Sequence, residues 1–222
     1  LPPSEGHRRG VTSLRRVVHA CALREGIDVL TVYAFSSENW ARPRAESGWI
    51  FDLVSRVLRE ERTRLRELGV RLRFIGDLQR LPEELRALLR EAAEHGPARG
   101  EERLLLCVAL SYGGRQEIAQ VARLLAMQAA EGGLLPNDID EARFADTLHS
   151  LPNAAPSDPD LLIRTGGQHR LSNFLLFQAA YTELYVTDVL WPDFSTADLE
   201  LSLNAFGKRK RTFGKCIQQD GD

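Results

Sequence analysis

From Glu5 onward, apolar residues fall at Val11, Leu14, Val17, Val18, Cys21 and Ala22, the stripe of a core-facing helix that Gly26 stops. The period then changes. Asp28 to Phe35 (DVLTVYAF) is rich in β-branched and aromatic residues and predicts a buried strand, which runs into Ser36, Ser37, Glu38, Asn39, Trp40 and Arg42 before Pro43. From Ser47 to Leu68, Ile50, Leu53, Val54, Val57, Leu58, Leu65 and Leu68 line one side of a long helix, and Gly69 ends it. The VRLRFIG segment alternates apolar and basic, as a partly exposed strand does. Pro82 stands at the start of a helix that carries Leu85, Leu88, Leu89 and Ala92. Leu104 to Tyr112 (LLLCVALSY) is a continuous apolar strand, followed by Gly113, Gly114, Arg115 and a helix bearing Ile118, Val121, Leu124 and Leu125.

The second half continues the alternation. Asp140 to His149 predicts a short helix, Pro152 to Pro159 a proline-rich connection, and Asp160 to Thr165 a buried strand. After Gly166, Gly167, Arg170, Ser172 and Asn173, an apolar run predicts a further helix. Glu183 to Val186 is a last short strand, and Ser195 with Asp198 forms an N-cap pair for a helix to Arg211. Strands alternating with helices imply an α/β fold, a mostly parallel central sheet flanked by helices, in a single domain over residues 1–222.

Composition narrows the function classes. The chain of 222 residues is 43% hydrophobic, enough for a sizeable core, and its formal charge of -2 argues against a general nucleic-acid binder. Cys21, Cys107 and Cys216 lack the spacing of a zinc or redox site and fit a reducing compartment. No apolar run is long enough to span a bilayer, and no signal peptide is visible. The expected location is cytoplasmic, with a plastid as the alternative.

In a parallel sheet, ligands bind beyond the carboxyl ends of the strands. Three strand ends here are polar or glycine-rich: Ser36 to Arg42, Ser111 to Arg115, and Arg164 to Ser172. Arg42, Arg164 and Arg170, with Arg115, would converge on one rim, and guanidinium forks grip phosphate oxygens in pairs. Gly166 and Gly167 before a helix start would offer free N–H groups to the same anion. Each residue also has a plainer reading. Asn39 and Trp40 could pack a corner, and Glu183 could either neutralise an arginine or help hold a divalent cation between phosphates. His7, in GHRRG, is evenly balanced between a ligand contact and a structural role, and His169 shares the anion site's position. His19, His95 and His149 read as surface residues. Trp49, Ile50, Phe51, Leu53, Val54 and Val57 could equally be core or one wall of a hydrocarbon tunnel.

FSSENWARP (Phe35 to Pro43), SYGGRQEI (Ser111 to Ile118), IRTGGQHRLSNFLLFQ (Ile163 to Gln178) and AYTELYVTDVLWPDF (Ala180 to Phe194) resemble the cis-prenyltransferases, in particular undecaprenyl diphosphate synthases. The resemblance covers essentially the whole chain. It implies a homodimeric α/β enzyme that condenses an allylic diphosphate, typically farnesyl diphosphate, with isopentenyl diphosphate, each new double bond being cis. Peripheral contact with a membrane would serve product release. By motif, Arg164, Arg170, Leu171 and Ser172 would bind isopentenyl diphosphate, and Glu183 would be a Mg2+ ligand. Asn39 would assist proton removal, with Ser36, Ser37, Glu38, Trp40 and Arg42 around the substrates and His7 near the allylic diphosphate. Trp49, Phe51 and Leu106 are candidates for setting product length.

Departures from the family pattern are also visible. Pro3 stands where an arginine is frequent, and Gln168 where glutamate is. The family's first strand and its aspartate-glycine-asparagine phosphate loop, with a magnesium-binding aspartate, would stand before Leu1. A protein beginning at Leu1 is expected to be inactive. The rival expectation is a non-catalytic subunit that pairs with an active homologue.

Overall fold

The computed structural model describes residues 3–98, 100–150, 155 and 158–209. Helices and strands alternate as α1 (Pro3–Ala22), β1 (Val29–Ser36), α2 (Arg44–Glu67), β2 (Val70–Ile75), α3 (Glu83–Glu94), β3 (Leu104–Tyr112), α4 (Gly114–Ala130), α5 (Glu141–Ser150), β4 (Leu161–Arg164), β5 (Glu183–Val186) and α6 (Thr196–Gly207). Every strand pairing is parallel, in a three-stranded sheet ordered β1-β3-β2 and a two-stranded sheet β4-β5. No described helix is long and apolar enough to cross a membrane.

The strand order follows from the apolar pattern. β3 is the continuous apolar run, and it takes the centre, where both faces and both edges are covered. β2, with Arg71 and Arg73 at half-buried positions, takes an edge. Gly76 shows how tightly β2 leaves the sheet: its φ is +113°, and a Cβ there would collide with the Leu110 carbonyl oxygen. Leu85, Leu88, Leu89 and Ala92 are the buried face of α3, at the helical spacing read from the sequence.

Contacts divide the chain into two compact units. One contains Val18–Ser157 and Leu171–Phe177, hence the three-stranded sheet with α2 to α5. Its core joins Ile75, Ala109, Tyr112, Ala155 and Leu175, and a second cluster joins Val121, Leu125 and Leu148 between α4 and α5. The other contains Leu1–Val17, Asp158–Arg170 and Gln178–Asp222, hence β4, β5, α6 and most of α1. There Ser13 is fully buried and donates to the Pro192 carbonyl at 2.9 Å, and Trp191 donates to the Gly10 carbonyl at 3.1 Å.

The helix expected after Asn173 does not form, and residues 172–181 are turns. Ser172, Asn173 and Leu175 have φ of +52°, +64° and +45°, which no right-handed helix accommodates. The apolar run has no single stripe to bury. Phe174 stacks on Tyr33 at 4.5 Å, whereas Phe177 packs on Phe144 beside α4 and α5. Most of the expected 152–159 connection, Cys216 and the chain beyond Arg209 lie outside the described residues.

Candidate active site

Parallel pairing puts the ends of β1, β2 and β3 at one edge, with Ser36 in register with Tyr112. The loop after β1 is a single 3-10 turn, Ser37–Ala41. Asn39 closes it by accepting the Ser36 N–H on Oδ1 at 2.9 Å, which leaves its Nδ2 donors without a partner among the described residues. Trp40 is half-buried in a corner against Phe35 and Phe51, and its Nε1 donates to Ser111 Oγ at 2.9 Å. Buried Ser111 has φ of +51°, a strained turn that aims its hydroxyl at the indole. The exposed Arg80 lays its guanidinium over the same ring at 4.8 Å. Arg42 is exposed and paired with Glu46 at 2.8 Å, so the ordinary salt-bridge reading applies to it here.

Asn173 ties this loop to the start of α4. Its Nδ2 donates to Glu38 Oε1 at 2.7 Å, and its Oδ1 accepts the Arg115 N–H at 2.8 Å. Gly113 lies between: a Cβ there would overlap Ser37 Oγ and sit 2.7 Å from Asn173 Nδ2. The N–H groups of Gly114, Arg115, Gln116 and Glu117 are all bonded within the protein, so this helix start offers no open anion cradle. Partial burial works to raise the Glu38 carboxyl. Hydrogen bonds from Asn173, from its own backbone and from Ser36 and Ser37 outweigh that and hold it below its ordinary value. Burial first, and then the Glu38 charge, push the Tyr33 phenol up to about 12. Beneath the loops the Tyr112 hydroxyl donates to buried Glu117 at 2.7 Å, and burial with that carboxylate drives the phenol far upward.

A hollow of about 180 Å³ opens beside Asp77, Gln79, Ser111, Gln116, Glu117 and Gln120. Its lining mixes these polar side chains with Leu78 and Tyr112. On α2 the candidate tunnel residues divide: Ile50 and Phe51 are buried, whereas Trp49, Leu53, Val54 and Val57 are only half-buried.

The other unit holds His7, Arg164, Arg170 and Glu183. Arg164 is half-buried at the end of β4, and its buried Nε has no hydrogen-bond partner among the described residues. An unpaired buried guanidinium N–H is costly unless a ligand satisfies it. Arg170, Gln168 and His169 are exposed. The expected glycine cradle is absent: Gly166 N–H bonds the Val189 carbonyl and Gly167 N–H the Thr187 carbonyl, both at 2.9 Å. Those bonds replace the helix start that the sequence led us to expect. Glu183 accepts from Arg209 Nη1 at 2.6 Å, so the arginine-neutralising alternative is realised. His7 is half-buried on α1.

A carboxylate that already seats a cation has the chemistry for a divalent ion. No group of three or more His, Cys, Asp or Glu side chains suitable for a metal occurs among the described residues. Magnesium is commonly held by one or two carboxylates with substrate phosphates and water. Glu183 fits as such a carboxylate.

The sequence assigned no role to Asn173, Ser111 or Arg80, although Ser111 opens one of the three strand-end segments and Asn173 follows the Gly166–Gly167 turn. Asn173 carried a usable signal, since asparagine is a favoured helix cap that tolerates positive φ. Its partners, 58 and 135 residues away, were not legible from one chain.

The family model described as "Putative undecaprenyl diphosphate synthase" matches residues 1–214. "Isoprenyl transferase 2" of Bradyrhizobium diazoefficiens is 48% identical over 98% of this chain and 84% of its own length. A ditrans,polycis-undecaprenyl-diphosphate synthase of Pseudomonas aeruginosa, (2E,6E)-farnesyl-diphosphate specific, is 46% identical over 99% of this chain and 85% of its own. The crystal structure of lavandulyl diphosphate synthase from Lavandula x intermedia in complex with dimethylallyl diphosphate superposes with a TM-score of 0.86 at 37% identity, over 96% of this chain and 89% of that one. With the motif loops set at the ends of parallel strands, this chain belongs to the undecaprenyl diphosphate synthase family of prenyltransferases.

Proposed function

We propose that this protein is a cis-prenyltransferase that joins isopentenyl diphosphate to an allylic primer, with farnesyl diphosphate the expected primer. The observation that carries the proposal is the hydrogen-bonded meeting of the FSSEN, GGR and LSN segments at one sheet edge, in a chain similar over nearly its whole length to named synthases. In the reaction the carbon–oxygen bond of the primer breaks and diphosphate leaves. A carbon–carbon bond then forms to the isopentenyl unit, which loses a proton to leave a cis double bond.

The chain's own residues supply binding and charge. Arg164, with its unsatisfied Nε, and the exposed Arg170 would take diphosphate oxygens beside Leu171 and Ser172. Asn39 is a neutral amide whose Nδ2 has no partner among the described residues, so it would assist by orienting the group that accepts the proton. Ser36, Ser37, Glu38 and Trp40 would shape the substrate edge, His7 would stand near the allylic diphosphate, and Arg42 would have to leave Glu46 to join them. Mg2+ held in part by Glu183 would supply electrostatic stabilisation of the leaving diphosphate once Arg209 yields the carboxylate. The half-buried flank of α2 would shelter the hydrocarbon. The reading includes a single domain, a cytoplasmic or plastid setting, and a homodimer. Exposed Tyr181, Leu184 and Leu190 support the last of these.

The test is direct. The chain, with any residues encoded before Leu1, is supplied with radiolabelled isopentenyl diphosphate, farnesyl diphosphate and Mg2+, and products are separated by chain length. A ladder of cis-polyprenyl products is expected. Tight binding of substrates without elongation would instead favour the partner-subunit reading.

A further inference from the structure

Asn173 makes three directional bonds, and only two of them serve the fold. Its main-chain oxygen accepts the Gly114 N–H at 2.7 Å, and its Oδ1 accepts the Arg115 N–H at 2.8 Å. Together these cap α4 from a distant part of the chain. They are needed because the residue in the N-cap position is Gly113, which has no side chain to do it. Gly113 in turn has no room for one, with Ser37 Oγ and Asn173 Nδ2 pressed against it. Capping requires only the oxygen. The third bond uses the amide nitrogen, and it runs to Glu38 Oε1 at 2.7 Å, in the loop that the functional reading assigns to the substrates.

We propose that Asn173 is a positioning residue of the condensation reaction. It holds the Glu38 carboxylate, and with it the Ser36–Asn39 turn, in the geometry that meets the reacting diphosphates. A charge-assisted bond to a carboxylate is strong and directional. Here it is made by a residue whose own conformation is over-determined: φ is +64°, and both of its oxygens are occupied. The other hydrogen bonds to Glu38 come from its own backbone, Ser36 and Ser37, all within the same 3-10 turn and its cap, where Glu38 is exposed. Asn173 is the partner from a distant segment, so it fixes where the turn as a whole stands. A cap alone would be indifferent to the nature of the second side-chain atom.

Asn173→Asp separates the two roles. Aspartate caps helices as well as asparagine, suits the helix dipole and tolerates positive φ, so the bond to Arg115 N–H is kept. The donor to Glu38 is lost, and a second carboxylate faces the first. The positioning role predicts that kcat for elongation falls by about 10- to 100-fold, the scale set by small misplacements in an active site. KM for isopentenyl diphosphate should move less than about threefold. The same substitution is then made on a Glu38→Gln background, where the amide can donate to the new carboxylate. There the loss should shrink to less than about threefold, since coupled residues are non-additive. A kcat for Asn173→Asp equal to that of the native chain overturns the inference, and so does an equally large loss on both backgrounds. If Asn173→Asp does not fold, Glu38→Gln and Glu38→Ala are compared with Asn173 and its cap intact. The glutamine amide oxygen can still accept from Asn173 and alanine cannot, so kcat should be at least about tenfold lower in Glu38→Ala, and equal values overturn the inference. The inference rests on the substrate reading of the Ser36–Asn39 loop. If the native chain elongates nothing, that reading fails; an active native chain matched by Asn173→Asp removes only this inference.

Discussion

Gly113 carries more of the site's geometry than any of the charged residues around it. Its φ of -160° is open to every amino acid, so the constraint is purely one of space. A methyl group there would overlap Ser37 Oγ and press to 2.7 Å from Asn173 Nδ2. Gly113→Ala should therefore cost about 1–3 kcal/mol of stability, the usual penalty for overpacking a filled site. It should also lower elongation, because the turn and the α4 cap must part. Adding Ser37→Gly removes the nearest obstacle and should recover part of the lost thermal midpoint, which calorimetry on the single and double variants will measure. No recovery would mean that the crowding at Ser37 is not the cause. At this scale the sequence showed which residues matter but not what they bond. Arg42 was legible as a cation at a strand end, yet Glu46, one helical turn along, has taken it. Glu183 was legible as an acid among cations, and its partner Arg209 lies just past the end of α6.

Elements with one apolar stripe were legible because their periodicity states which face is buried. α3 and β3 bury the residues their patterns predict. The failure was the LSNFLLFQ segment, whose continuous apolar run has no preferred side and whose residues divide between two clusters. α6 offers a quantitative test of a correct reading. Ser195 N–H and Oγ both donate to Asp198 Oδ2, at 2.8 and 2.6 Å, and Asp198 N–H returns to Ser195 Oγ at 3.3 Å. The Ser195 side chain first, then its backbone, hold the Asp198 carboxyl below its ordinary value. A carboxyl depressed in the folded state stabilises above its unfolded value, near pH 4, and loses that stabilisation as pH falls through the folded value. Asp198→Ala should thus cost about 1 kcal/mol at pH 7, as the loss of a capping box does, and progressively less as the pH is lowered below about 4. Urea titrations of both proteins across that range will measure the difference. A gap that stays constant with pH would show that the carboxylate charge is not what stabilises the helix.

For the whole molecule, the open question is whether the two compact units melt as one. The chain passes between them at residues 17/18, 157/158, 170/171 and 177/178, and the first passage lies inside α1. Separating them would require breaking a continuous helix, and helices resist interruption because each new nucleus is costly. The smaller unit has a two-stranded sheet, which is marginal alone in water, so it should not outlast its neighbour. The chain is therefore expected to unfold in a single cooperative step. The three tryptophans make this testable: Trp191 belongs to the unit with β4 and β5, and Trp40 and Trp49 to the other. A variant carrying Trp40→Phe and Trp49→Phe leaves Trp191 fluorescence to report one unit, while helical circular dichroism is dominated by α2 to α5 of the other. The two signals should share a midpoint to within about 2 °C, the coincidence expected of two-state unfolding. Midpoints that separate would divide the chain into two domains.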